Sequence, residues 1–148
     1  MPAIKHYLVI KVLPEKVYTA LSKTEGLCGW WTTGAKTDEH MGGTAEFVFG
    51  EQYYNKVRIT NLQDNKAVEW GCLEGDKEWI GTTFLFDLEE KDSITILRFS
   101  HNNWKDETDF FASCNFNWGY YLNSLKQYCE TGTGTPFNKG QSSEYDNR

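Results

Sequence analysis

The 148-residue sequence lacks most patterns that would assign a chemistry at sight. Its four cysteines, Cys28, Cys72, Cys114 and Cys129, include no C-x-x-C pair, and only His6, His40 and His101 accompany them. A structural zinc site needs clustered Cys and His ligands, so no metal is expected. No G-x-S-x-G, P-loop or H-E-x-x-H occurs, which removes three common catalytic signatures. No apolar run approaches the ~18 residues of a membrane span. The opening "MPAIKHYLVIKVLPEK" places Lys5 and Lys11 inside its apolar pattern, unlike a signal peptide. Positive charge is in deficit, with a formal net charge of −6. Neither nucleic acid nor an anionic membrane is therefore an expected partner. Free thiols and the lack of a leader make the cytoplasm the expected compartment. Repeats and linkers are also missing. We expect one domain over 1–132, followed by a flexible polar tail over 133–148.

What the chain does have is aromatic residues: 6 Trp, 8 Tyr and 9 Phe, or 16% of the sequence. Large rings fill cores, and they also line apolar pockets. Two tryptophans are adjacent in "GLCGWWTTG" (26–34). Helical neighbours point about 100° apart and strand neighbours point to opposite faces, so Trp30 and Trp31 are expected to serve two surfaces.

The periodicity gives a coarse architecture. "IKHYLVIKV" (4–12) alternates as a strand. "PEKVYTALSK" (14–23) carries Val17, Ala20 and Leu21 at helical spacing behind Pro14. A short second helix or turn follows over 24–31. From 34 to 102 the pattern is β, with strands expected over 43–50, 51–62, 67–74, 78–90 and 93–101. Residues 106–132 then read as one long helix, with Phe111, Cys114, Trp118, Leu122, Leu125 and Cys129 on its apolar stripe. That stripe must pack on the sheet.

Three segments in this order resemble a known family: "PEKVYTALSKTEGLCGWW" (14–31), "RFSH" (98–101) and "NWGYYLNSLKQYCETGTGTP" (117–136). It is the stand-alone bacterial branch related to the C-terminal domain of the heat-shock-protein-90 ATPase activator. That branch lies within the START-like, birch-pollen-allergen-like (SRPBCC) helix-grip superfamily, and the likeness runs from about residue 4 to 136. It implies an α+β helix-grip fold. An antiparallel sheet of six to seven strands wraps a long C-terminal helix, with two short helices after the first strand and a deep hydrophobic pocket between sheet and helix. Superfamily members bind lipids, sterols and polyketides, and some are cyclases, dehydratases or hydrolases. The chaperone activator proper carries a further N-terminal domain, for which this length leaves no room.

The candidate ligand-binding residues are Trp31, Tyr54, Trp70, Trp79, His101, Phe111 and Trp118. Trp70 and Trp79 are expected on adjacent strands, making three walls of one pocket with Trp118. The competing reading is a densely packed aromatic core. His101 shares a strand face with Phe99. It is either a pocket group titrating near neutral pH or a hydrogen-bonded strand-end residue. Arg58 either clamps a carboxylate or lies on the solvent face with Lys56. Glu69, Glu74, Glu78 and Asp87 form no convincing acid–base pair. Cys114 and Cys129 fall on the buried stripe and read as small hydrophobes. No catalytic residue and no cofactor is expected. The leading expectation is a monomeric or dimeric protein binding a small hydrophobic molecule. The alternatives are a cyclase- or hydrolase-type enzyme in the same pocket, or an interaction module that regulates a chaperone.

Overall fold

A computed structural model describes residues 1–51 and 53–138. β1 (Ile4–Ile10) leads into α1 (Pro14–Ser22) and α2 (Thr24–Trp30). Six strands follow: β2 (Gly34–Thr37), β3 (Thr44–Phe49), β4 (Tyr53–Gln63), β5 (Ala67–Glu74), β6 (Thr83–Lys91) and β7 (Ile94–Asn102). The long α3 (Asp109–Thr131) comes last. The seven strands form one antiparallel sheet in the order β1-β7-β6-β5-β4-β3-β2. Consecutive hairpins build β2 through β7, and β1 pairs along β7.

Local chemistry explains the elements. Pro14 starts α1 where its missing N–H costs no hydrogen bond. Thr108 caps α3 by accepting from the Phe111 N–H, and Asp109 adds negative charge to its first turn. The inward faces of the sheet strands alternate with solvated ones, as in Phe84, Phe86 and Leu88 of β6. Cys114, Trp118, Leu122, Leu125 and Cys129 of α3 lie buried, on a helix that packs against both the sheet and the two short helices.

Three expectations change. β2 is a short extra strand, hidden in the sequence because only Ala35 of its four residues is buried. β6 begins at Thr83, not at residue 78. Gly75 (φ 143°) and Gly81 (φ 88°) adopt backbone conformations that side-chain-bearing residues avoid, and they bracket a turn instead. Trp79 therefore sits on that turn and not on a strand adjacent to Trp70. Finally, the segment after α3 does not leave the surface at once. Phe137 is buried, pairs in a parallel bridge with Thr32, and donates its N–H to the Trp31 carbonyl. Residues 139–148 of the expected tail lie outside the described residues.

Candidate functional site

The adjacent tryptophans enter one core. α2 ends at Trp30, and Trp31 is its C-cap, still in the right-handed helical region and donating its N–H to the Leu27 carbonyl at 3.0 Å. The two rings then stack at 5.7 Å, only 10° from parallel. Trp30 donates its indole N–H to the Ala20 carbonyl at 2.9 Å and meets the edge of Phe86. Trp31 continues into a lattice of rings: Phe47 at 4.4 Å, Trp118 at 5.1 Å and Trp70 at 5.9 Å. The expectation of two separate surfaces is overturned: both rings are buried in the same core.

A cavity of about 50 Å³ lies where β4, the 75–82 turn and α3 meet. Trp31, Phe49, Trp79, Trp118 and Tyr121 contribute aromatic wall, with Cys114 between them. Tyr53, Tyr54, Asp76 and Phe110 form its outer part, and the first three are exposed. The volume is about one third of an engineered ~150 Å³ cavity that takes up benzene. The deep hydrophobic pocket implied by the family resemblance is therefore largely closed by tryptophan and phenylalanine side chains.

Four predicted site residues, Trp31, Tyr54, Trp79 and Trp118, meet at this cavity. Trp70 stands behind the wall, against Trp31, Phe47, Phe84 and Phe86. Phe111 is not part of the lining. It packs edge-on against Trp104 at 5.0 Å, and its neighbour Phe110 faces the cavity instead. Phe111 thus joins the core through Trp104, beside the cavity and not in it.

His101 also stands behind the wall, at 0% exposure. Trp118 Nε1 can only donate, so His101 Nδ1 accepts that bond at 3.1 Å. The ring proton then sits on Nε2, which donates to Thr82 Oγ1 at 2.8 Å. Thr82 in turn donates to the Trp79 carbonyl at 2.6 Å. Burial pushes the His101 pKa down to about 3, so the imidazole is neutral and does not titrate near neutral pH. Its role is positional: one chain of hydrogen bonds ties the cavity tryptophan of α3 to the backbone of the cavity tryptophan on the turn.

The other polar candidates lie apart. Arg58 is exposed and donates to the Gly42 carbonyl at 2.8 Å. Glu69 accepts from Thr60 on the outer face. Burial raises the Cys114 thiol to about 12 and the Cys72 thiol to about 11, so both are held as thiols. Cys114 Sγ accepts from Trp79 Nε1 at 3.3 Å, a second tether on the turn.

Sequence reasoning missed two residues that distinguish this cavity. Asn55 and Asn117 both line it, at 6% and 5% exposure. Asn55 Oδ1 and both amide atoms of Asn117 have no hydrogen-bond partner. Each had a signal. Asn55 occupies the inward register of β4 with Val57 and Ile59, and Asn117 lies on the α3 stripe between Cys114 and Tyr121. A register shift between Lys56 and Val57 directly follows Asn55, a device that re-aims side chains beside functional sites.

A seven-stranded antiparallel sheet packed on one long C-terminal helix, with two short helices after the first strand, defines a helix-grip protein. Residues 11–130 match the family described as Activator of Hsp90 ATPase homolog 1-like protein. The chain belongs to that family. It is similar to the Aha1 dimer of Colwellia psychrerythraea, solved in solution. Identity is 39% over 90% of this chain and 100% of that one, with a TM-score of 0.82. Protein SSP2350 of Staphylococcus saprophyticus shares 19% identity over 90% of this chain and 96% of its own, with a TM-score of 0.75. CalU16 of Micromonospora echinospora shares 14% over 90% of this chain and 76% of its own, with a TM-score of 0.73. The last two likenesses are of fold alone. No curated protein matches the chain at a significant level.

Proposed function

We propose that this protein binds a small, largely aromatic molecule at the cleft between β4, the 75–82 turn and α3. The carrying observation is the aromatic cavity itself, which opens past exposed Tyr53 and Tyr54 and is lined by tryptophans from three separate elements. Its size favours a ligand that inserts one group and rests the remainder on the rim. A sterol or a long acyl chain would require the ring lattice to open. Binding is favoured over turnover by the lining: Asp76 is its one carboxylate among the described residues, and Cys114 is held as a thiol. Titrating 15N-labelled protein with small aromatics, fatty acids and sterols tests this reading. Saturable shifts of the Trp79 and Trp118 indole N–H signals are expected from small aromatics. Unmoved spectra across the panel, with a clean unliganded mass in native mass spectrometry, would sink it.

A second observation concerns assembly. Phe116 and Tyr120 lie one turn apart on the solvent side of α3, at 67% and 48% exposure. The Colwellia relative is described as a dimer, and we propose that this chain self-associates through that outer face. Phe116→Glu should shift the mass measured by light scattering to that of the monomer. A wild-type monomer at high concentration overturns the assignment. The four free thiols accord with a reducing compartment, and the cytoplasm is the proposed location.

A further inference from the structure

We infer that the ligand enters this cavity by a neutral primary carboxamide head, and that Asn55 and Asn117 select it. The inference rests on the cleft being a binding site, as proposed above. Three observations lead to it.

The first is the free hydrogen-bonding set. Asn55 Oδ1 and Asn117 Oδ1 are two acceptors, and the Asn117 amide nitrogen is a donor. All three are buried and unpartnered, on two residues that line a cavity whose remaining inner wall is aromatic rings and one thiol. Buried polar groups are normally satisfied, and an orphaned one is costly unless something supplies the missing bond. A primary carboxamide supplies two N–H donors and one carbonyl acceptor, the complement of this set. Because both amide atoms of Asn117 are free, exchanging its oxygen and nitrogen leaves that complement intact.

The second is charge. Among the described residues no cationic side chain lines the cavity, and Asp76 stands in its outer part. Glu46 accepts from the Tyr54 hydroxyl at the same rim. Slight burial, then the bond to Glu46 and the negative charges of Glu46 and Glu74, hold that hydroxyl above its ordinary pKa. A carboxylate head would meet one amide N–H but also two amide oxygens and an acidic rim, with no cation among the described residues to offset them. A purely apolar head would leave all three amide atoms unsatisfied.

The third is size. A cavity of about 50 Å³ takes a compact polar head but not a whole ring. The aromatic body of the ligand then lies outward, against Tyr53, Tyr54 and Phe110.

Benzamide, benzoate and toluene form a matched set: neutral donor–acceptor head, anionic acceptor-only head, and apolar head on one ring. We expect benzamide to move the side-chain amide signals of Asn55 and Asn117, with an affinity at least about tenfold above the other two, the scale of one lost buried hydrogen bond. Asn117→Leu should abolish that preference and raise the thermal midpoint, since it removes two orphaned polar atoms from an apolar wall. Equal binding of all three by the wild type overturns the selection while leaving the cleft a binding site. Binding of none of them, with the three amide atoms met only by ordered water in a crystal, overturns both. The wild-type comparison stands whether or not Asn117→Leu folds.

Discussion

Protonating His101 would remove the lone pair that Trp118 requires as its acceptor. The folded imidazole holds a pKa of about 3, against an ordinary 6.5. Between those values the unfolded chain binds the proton and the folded chain does not. The stability this group contributes is complete above pH 6.5 and is lost progressively as pH falls toward 3. From pH 6.5 to 5 the loss amounts to about 2 kcal/mol, at ~1.4 kcal/mol per pH unit. Urea unfolding across that window should show the slope in the wild type and a flatter one in His101→Gln. An equal slope in both would place the titration elsewhere. Trp118→Phe isolates the other end of the same bond. It keeps a ring against Phe99 and Trp31 but leaves His101 Nδ1 without a donor. A destabilisation of roughly 1–3 kcal/mol is expected, together with a rise in the His101 pKa, since a protonated Nδ1 no longer opposes an indole N–H. A 15N titration of the ring reads that shift directly.

Helices and the turns between them carry a different class of test. Gly119 lies in the middle of α3, and a methyl group there would meet nothing closer than the His6 ring at 3.6 Å. Gly119→Ala should therefore stabilise the protein by about 0.5–1 kcal/mol, the helical cost of glycine. Gly26 is the opposite case. A Cβ there would stand 2.5 Å from Ala20 Cα and 2.6 Å from the Ala20 carbonyl oxygen, both backbone atoms. Gly26→Ala must push α1 and α2 apart, disturbing the bond from Trp30 to that carbonyl. A loss of at least about 1–3 kcal/mol is expected in thermal or urea unfolding. These elements also mark how far the sequence could be read. Period-2 alternation made β1, β3, β4, β5 and β7 legible, and the 3.6-residue stripe made α3 legible, because burial on one face writes a pattern. β2 is too short to write one. The "EWIG" run resembled a strand because Trp79 serves a turn packed on α3, while Ile80 is exposed. At the cavity, tryptophans were legible by size alone. The asparagines stayed hidden because a polar residue in an apolar register reads as noise until its neighbours are seen.

Across the whole molecule, the segment that follows α3 acts as a strap. Phe137 packs on Phe49 at 5.8 Å, accepts the Thr33 N–H and donates to the Trp31 carbonyl. Phe49 and Trp31 are both cavity wall. Phe137→Ala should cost about 3–5 kcal/mol and broaden the Trp31 indole signal, whereas a purely peripheral contact would leave that signal unchanged. The sheet itself has a consequence for how the chain is made. Among the described strands β1 is the first to leave the ribosome, and its partner, β7, is the last. Throughout that interval the nascent chain carries β1 with its backbone donors and acceptors unpaired, a template for other chains. Closure waits on a pairing between the most distant strands, so folding is completed late and slowly compared with that of a helical bundle. The period of greatest exposure to aggregation is therefore set by translation.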